Sequence, residues 1–145
     1  MAKKIDNFAH NPEMRMVISY LSLFLTNVIV LWLAVRWFPQ YIVLGTIGLT
    51  VTWALCLSMG KLALIDAFAL PFFHEWEKQR GKKMSNVNWL VGYFLINFAG
   101  IWIITRFAEV FGLGITSWMV AGWLALVLSL VQGLMMTRLK KWLAN

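Results

Sequence analysis

Acidic residues are scarce in this chain: six, against thirteen Lys and Arg, giving a formal net charge of +7. It has one cysteine, Cys56, inside an apolar run, so no intrachain disulfide forms and the redox compartment is not indicated. The two histidines, His10 and His74, stand far apart, with no Cys or His partner at metal-ligand spacing. No Ser/His/Asp set, CxxC, GxGxxG or phosphate-binding loop occurs. These absences argue against an enzyme, a metal site and a bound cofactor.

Apolar residues are abundant. The chain is 61% hydrophobic and 13% charged, with nine tryptophans and a mean hydropathy of +0.72. Soluble domains are nearer about 45–50% apolar and about 25% charged. Uncharged runs cover 16–35, 37–60, 84–105 and 110–137, lengths of 20, 24, 22 and 28 residues. About 20 apolar residues cross the hydrocarbon core, so all four runs qualify as spans. Barrel strands would be half as long and would alternate apolar with polar. A polar stretch of fifteen residues precedes the first run and no small-residue cleavage site follows it, unlike a cleavable signal peptide.

The positive charge has a pattern. Lys3, Lys4 and Arg15 precede the first span, Lys78, Arg80, Lys82 and Lys83 lie between spans two and three, and Arg138, Lys140 and Lys141 follow the fourth. The two opposite connections hold only Arg36 and Arg106. This asymmetry places both termini and the middle connection on the cytoplasmic side of a cell (inner) membrane. It assigns the basic residues to orientation and anionic headgroups rather than to nucleic acid.

Residues 24 to 53 recur without a gap at 94 to 123. Seven positions are identical under a shift of 70: Phe24/Phe94, Leu25/Leu95, Asn27/Asn97, Trp32/Trp102, Arg36/Arg106, Thr46/Thr116 and Trp53/Trp123. Leucine-rich chains match themselves at leucines, not at Trp, Asn and Arg in one register. The sequence therefore predicts an all-α, polytopic four-helix transmembrane bundle built from two helical-hairpin repeats running in the same direction.

The parts follow in order: a tail over 1–15, a first hairpin over 16–70, a basic loop over 71–86 with an interfacial helix, and a second hairpin with a short tail over 87–145. Asn11-Pro12-Glu13 is a helix start, with Asn as cap and Pro at the first helical position. Pro39 ends the first helix, and Pro71 is expected to end the second near Leu70. Phe72, Phe73 and Trp76 give the loop helix an apolar side. Ser85 caps the third helix, which runs to about Glu109. Gly112 and Gly114 turn the chain, and Thr116 or Ser117 caps the fourth.

Asn27 and Asn97 fall near the middle of helices one and three, where an amide needs a protein partner because lipid offers none. Two uses fit them: interhelical anchoring, or the lining of a polar path. Trp53 and Trp123 are expected near the middle of helices two and four, with an Asn oxygen, a backbone carbonyl or water as acceptor for the indole N–H. Gly48, Thr52, Cys56 and Gly60, and Ser117, Ala121, Ala125, Ser129 and Gly133, form small-residue stripes at four-residue spacing, which are packing seams within or between chains. Arg36 and Arg106 should sit at the outer interface and reach headgroups, as Lys82 and Lys83 do on the other side. Lys61 and Asp66 are expected near the inner end of helix two, paired with one another or with loop charges.

Asn27, eleven residues, then Pro39-Gln40-Tyr41-Ile42-Val43-Leu44-Gly45 and a small-residue-rich helix resembles the four-span phage holin family (superfamily IV). Asn97 through Phe111, Gly112 and Gly114 repeats the layout, departing at Glu109, where that family has Pro. The resemblance implies a holin-like protein that self-associates in the bilayer as a homo-oligomer or in a larger membrane complex. Phe111-Gly112-Leu113, Ala121, Ala125 and Thr137-Arg138-Leu139-Lys140-Lys141-Trp142 are similar to the closing repeat of the GtrA-like family. That likeness implies a flippase of polyprenyl-linked sugars or another lipid carrier.

Overall fold

In the computed structural model, residues 11–144 are described. Lys3, Lys4, His10 and Asn145 lie outside the described residues. The element order is α1 (Pro12–Trp37), β1 (Ile42–Leu44), α2 (Val51–Arg80), α3 (Asn86–Arg106), a single turn α4 (Ala108–Phe111), β2 (Leu113–Ile115) and α5 (Trp118–Ala144). The four long helices are each long and apolar enough to cross a bilayer. In neighbour order α1, α2, α3, α5 they close into a ring, α5 packing back on α1.

Local signals account for the helix ends. Asn11 Oδ1 accepts from the Glu13 amide at 3.2 Å and Pro12 occupies the first turn, so α1 starts where the sequence placed it. Ser85 Oγ accepts from the Asn88 amide at 3.3 Å and caps α3. Thr50 does the same for α2 through the Trp53 amide at 3.4 Å. Gly81, with φ of +66°, ends α2 in the left-handed conformation that glycine adopts without penalty.

Pro71 does not end α2, contrary to the sequence expectation. The helix runs on to Arg80, so the apolar side of 71–80 belongs to α2 and the basic connection shrinks to Gly81–Ser85. A proline deletes one helical N–H, and membrane helices absorb that loss because the surrounding turns hold the chain in register.

The other departure lies at the opposite end. The sequence predicts a connection of a few residues after Pro39 and a third helix running to about Glu109. Instead α2 starts only at Val51 and α3 ends at Arg106. Each connection contains a three-residue strand, the two pairing antiparallel as Ile42–Ile115, Val43–Gly114 and Leu44–Leu113. Under the 70-residue shift, Val43 maps to Leu113 and Leu44 to Gly114, so the last two pairs exchange. The Gly45 amide donates to the Gly112 carbonyl at 2.8 Å, and Ser58 Oγ on α2 donates to the Phe111 carbonyl at 3.0 Å. Gly112, with φ of +77°, lies so close to Ala54 that a Cβ there would collide with it. This ribbon brings both connections to one end, the ribbon end, where Arg36 and Arg106 also lie. Arg15, the Gly81–Ser85 connection and Arg138 lie at the other, the basic end.

Candidate functional site

All four long helices bring polar side chains to one interior layer. Asn27 on α1, Asp66 on α2, Asn97 on α3, and Ser129 and Gln132 on α5 are each fully buried. Asp66 is fifteen residues from Val51 and fourteen from Arg80, about 22 Å from either end of α2 at about 1.5 Å per residue. The layer is therefore at mid-height. The sequence predicts Asp66 near the inner end, paired with Lys61 or with loop charges; the helix instead turns Asp66 into the bundle with neither, while Lys61 is exposed on another face.

Gln132 is the hub. Its Nε2 donates to Asn27 Oδ1 at 2.7 Å, to Asp66 Oδ2 at 2.8 Å and, more weakly, to Asn97 Oδ1 at 3.3 Å. Its Oε1 accepts from Asn97 Nδ2 at 2.7 Å. Asn27 Nδ2 donates to Asp66 Oδ2 and Asn97 Nδ2 to Ser129 Oγ, both at 3.4 Å, while Ser129 Oγ donates back to the Ala125 carbonyl at 2.6 Å. Both donors to Asp66 thus converge on Oδ2. Asp66 Oδ1 has no partner, the one such buried side-chain atom among the described residues. No Lys, Arg or His reaches the carboxylate within ion-pair distance among the described residues, whose ion pairs are His74–Glu77 and Lys78–Glu75.

Asn27 and Asn97 are thus joined through Gln132 rather than to each other. Sequence reasoning missed Gln132 and misplaced Asp66 because the repeat guided it: their equivalents under the shift are Leu62 and Met136. A usable signal was present, since Gln132 is the sole Gln of the fourth uncharged run and Asp66 the sole Asp between residues 11 and 144.

The other candidate residues fall elsewhere. Trp53 and Trp123 lie in the first two turns of α2 and α5, exposed on the outer surface at 63% and 68%, not at mid-height beside the asparagines. The connection after α1 is longer than expected, which moves the start of α2 toward Trp53; α5 starts at Trp118, as a Ser117 cap implies, so Trp123 lies in its second turn. Gly48 is in the connection rather than on α2, and Thr52 is exposed. Cys56 is half-buried, and a Cβ at Gly60 would stand in ordinary contact with Phe24 and Tyr20 of α1, 3.7 Å from each. On α5, Ala121, Ala125 and Ser129 are buried within the chain, whereas nothing lies within 4 Å of a Cβ at Gly133, and Ser117 precedes the helix. Close approaches occur at glycines outside both stripes, Gly100 against Leu62 and Gly92 against Phe73. Arg36 and Arg106 fold back over Trp32 and Trp102, 5.8 and 4.8 Å from the ring centres. Lys82 and Lys83 are exposed in the basic connection.

Beyond the apolar part of α2, Glu77 accepts from the Met84 amide at 2.9 Å and from Trp89 Nε1 at 3.1 Å. The Met84 amide foremost, then Trp89 and His74, hold its carboxyl below the usual carboxylate range. Among the described residues no group of three His, Cys, Asp or Glu converges.

Four long apolar helices around a buried polar layer define a polytopic helical membrane protein. No protein-family model, curated protein or solved structure matches this chain.

Proposed function

We propose that this membrane protein passes a small cation through its centre, with Asp66 as the group that receives it. The observation that carries this is Asp66: fully buried at mid-height, with no cationic side chain beside it and one oxygen bare. A carboxylate inside a membrane bundle is costly and marks a functional site unless it is paired. No cation among the described residues pairs it, and the amides of Asn27 and Gln132 leave Oδ1 free, so its counter-ion comes from solution. The whole layer is sealed from lipid, which favours a small ion over the sugar head of a GtrA-like carrier substrate. With the basic end toward the cytoplasm of the inner membrane, both termini are cytoplasmic. The duplicated-hairpin origin draws support from the ribbon register, which exchanges equivalent residues.

Holin-like self-association is the second reading, and one observation favours it. Phe94, Phe98, Trp118, Gly122 and Trp123 line an apolar groove between α3 and α5 on the outer surface, of a kind that a second copy would fill.

Purified protein in liposomes, with an imposed cation gradient and a pH- or ion-sensitive dye, tests the first reading. Flux is expected from the parent and not from Asp66→Asn. Equal flux from folded parent and folded variant, or none from either, would overturn it. Subunit counting by crosslinking in the same liposomes tests the second.

A further inference from the structure

We infer that the ion received at this centre is a proton, and that it reaches Asp66 Oδ1 from the basic end, past Tyr93. This rests on the reading of Asp66 as the ion-receiving group and names the ion and its route.

The first ground is the direction in which the amides point. A bare metal cation requires several oxygens turned toward one void. Here the Asn27 and Gln132 side chains present nitrogens to the carboxylate. The amide oxygens of Asn27 and Asn97 are engaged by Gln132 Nε2, and Gln132 Oε1 by Asn97 Nδ2. Ser129 Oγ accepts from Asn97 and spends its own proton on a backbone carbonyl. Asp66 Oδ1 is the only acceptor in the layer without a donor. One free oxygen suits a proton, which needs a single lone pair, and not a coordinated metal ion. In the step, a hydronium ion breaks one O–H bond and gives that proton to Oδ1, where an O–H bond forms; neutral water is left, the carboxylate charge of −1 becomes 0, and release is the reverse.

The second ground is the unequal packing above and below the layer. Toward the ribbon end lies one continuous core of fifteen buried apolar residues, from Leu62 and Leu128 up to Ile42 and Leu113 of the ribbon itself. Toward the basic end the buried apolar side chains are Leu23, Ala67, Met136 and Tyr93, flanked by partly buried ones. Two phenols stand at this thin side. Tyr93, one turn from Asn97 on α3, is nearly buried, and Tyr20 on α1 donates to the Gly60 carbonyl at 3.4 Å. These are the titratable groups facing the layer from α1 and α3; α5 faces it with the neutral Ser129, Gln132 and Met136, and α2's own Lys61 points outward. Tyr20 Oη is engaged with a backbone carbonyl, whereas Tyr93 Oη has no hydrogen-bond partner among the described residues, so Tyr93 is the hydroxyl placed to pass a proton inward.

Infrared difference spectroscopy on the full chain in lipid nanodiscs, between acidic and alkaline buffer, reads the proton directly. The chain has two aspartates, Asp6 and Asp66, so ¹³C-aspartate in an Asp6→Asn background assigns any carboxylic-acid band to Asp66 without altering the site. The expected result is a buried-acid C=O band that shifts with the isotope, disappears as pH rises and is unmoved by sodium at fixed pH. Its absence at every pH, or its displacement by sodium, would overturn the proton assignment. After a pH jump, Tyr93→Phe is expected to slow the change in the band at least several-fold with unaltered end-point spectra. Leu124→Ala, in the ribbon-end core, should leave the rate unchanged. A parental rate in Tyr93→Phe, or acceleration in Leu124→Ala, would overturn the route. A pH-responsive band without flux in liposomes would sink the proposed transport and leave the proton site standing; flux without the band would do the reverse.

Discussion

The side-chain amide of Gln132 lies 2.8 Å from the carboxylate of Asp66, joining two helices that are not sequence neighbours. That contact is the keystone of the polar layer, because the same nitrogen also holds Asn27 and Asn97. Within the low dielectric of the bundle, removing one member exposes the others as unpaired groups, and that loss outweighs the net value of any one bond.

Gln132→Leu should therefore cost about 1–3 kcal/mol, the penalty for leaving buried partners unsatisfied. Denaturant titration in mixed micelles measures it. Combined with Asp66→Leu the loss should be clearly smaller than the sum, with a coupling of about 0.5–3 kcal/mol. Additive losses would mean that the two side chains do not share an interaction.

Asn27→Leu and Asn97→Leu should each cost about 0.6–2 kcal/mol, the range for interhelical polar contacts in membranes. The two should be non-additive, because both asparagines bond to Gln132. Only Asn27 touches the carboxylate, so Asn27→Leu should shift the pH dependence of flux while Asn97→Leu should not. Parallel flux profiles in the two variants would contradict the one-sided contact.

Gly112→Ala should destabilise the protein by about 1–3 kcal/mol, since the added carbon meets Ala54 and the backbone is left-handed. Gly133→Ala is the control: nothing lies within reach of its Cβ, and a helical glycine replaced by alanine gains about 0.4–1 kcal/mol. Thermal unfolding in detergent separates the pair by sign.

Lowering the pH should loosen the connection between α2 and α3. Glu77 has a folded-state carboxyl held below its ordinary value, chiefly by the Met84 amide, so its contribution is present above the unfolded value and lost as pH falls through the folded one. Hydrogen exchange at the Met84 amide, corrected for intrinsic rate, should accelerate across that acidic window. Glu77→Gln should flatten the response.

Trp53→Leu and Trp123→Leu should change stability by less than about 0.5 kcal/mol, because both rings face outward and make no described hydrogen bond. Brominated lipids with shallow bromines should quench both tryptophans more than lipids with deep ones, placing them toward the ribbon-end interface. Stronger quenching from the deep position would return them to mid-height.

The sequence alone determined the features that depend on composition and local chemistry. Four apolar runs between charged punctuation marked four spanning helices, and Asn11-Pro12-Glu13 and Ser85 marked where two of them start. The asparagines were legible as buried because an amide in the middle of an apolar run has nowhere else to bond. Tertiary structure decided the rest. Whether Asp66 faces lipid, headgroup or interior depends on the rotation of α2, which is set by packing against α1 and α3 and not by Asp66's neighbours in sequence. Whether Pro71 stops a helix depends on what holds the turns around it. The ribbon was invisible because Ile42–Leu44 and Leu113–Ile115 are each too short to read as strands; they become strands only when folding lays them side by side. Gln132 and Asp66 were hidden because the duplicated pattern carries Leu62 and Met136 in their places. A repeat shows what two halves share, and this polar centre is built where they differ.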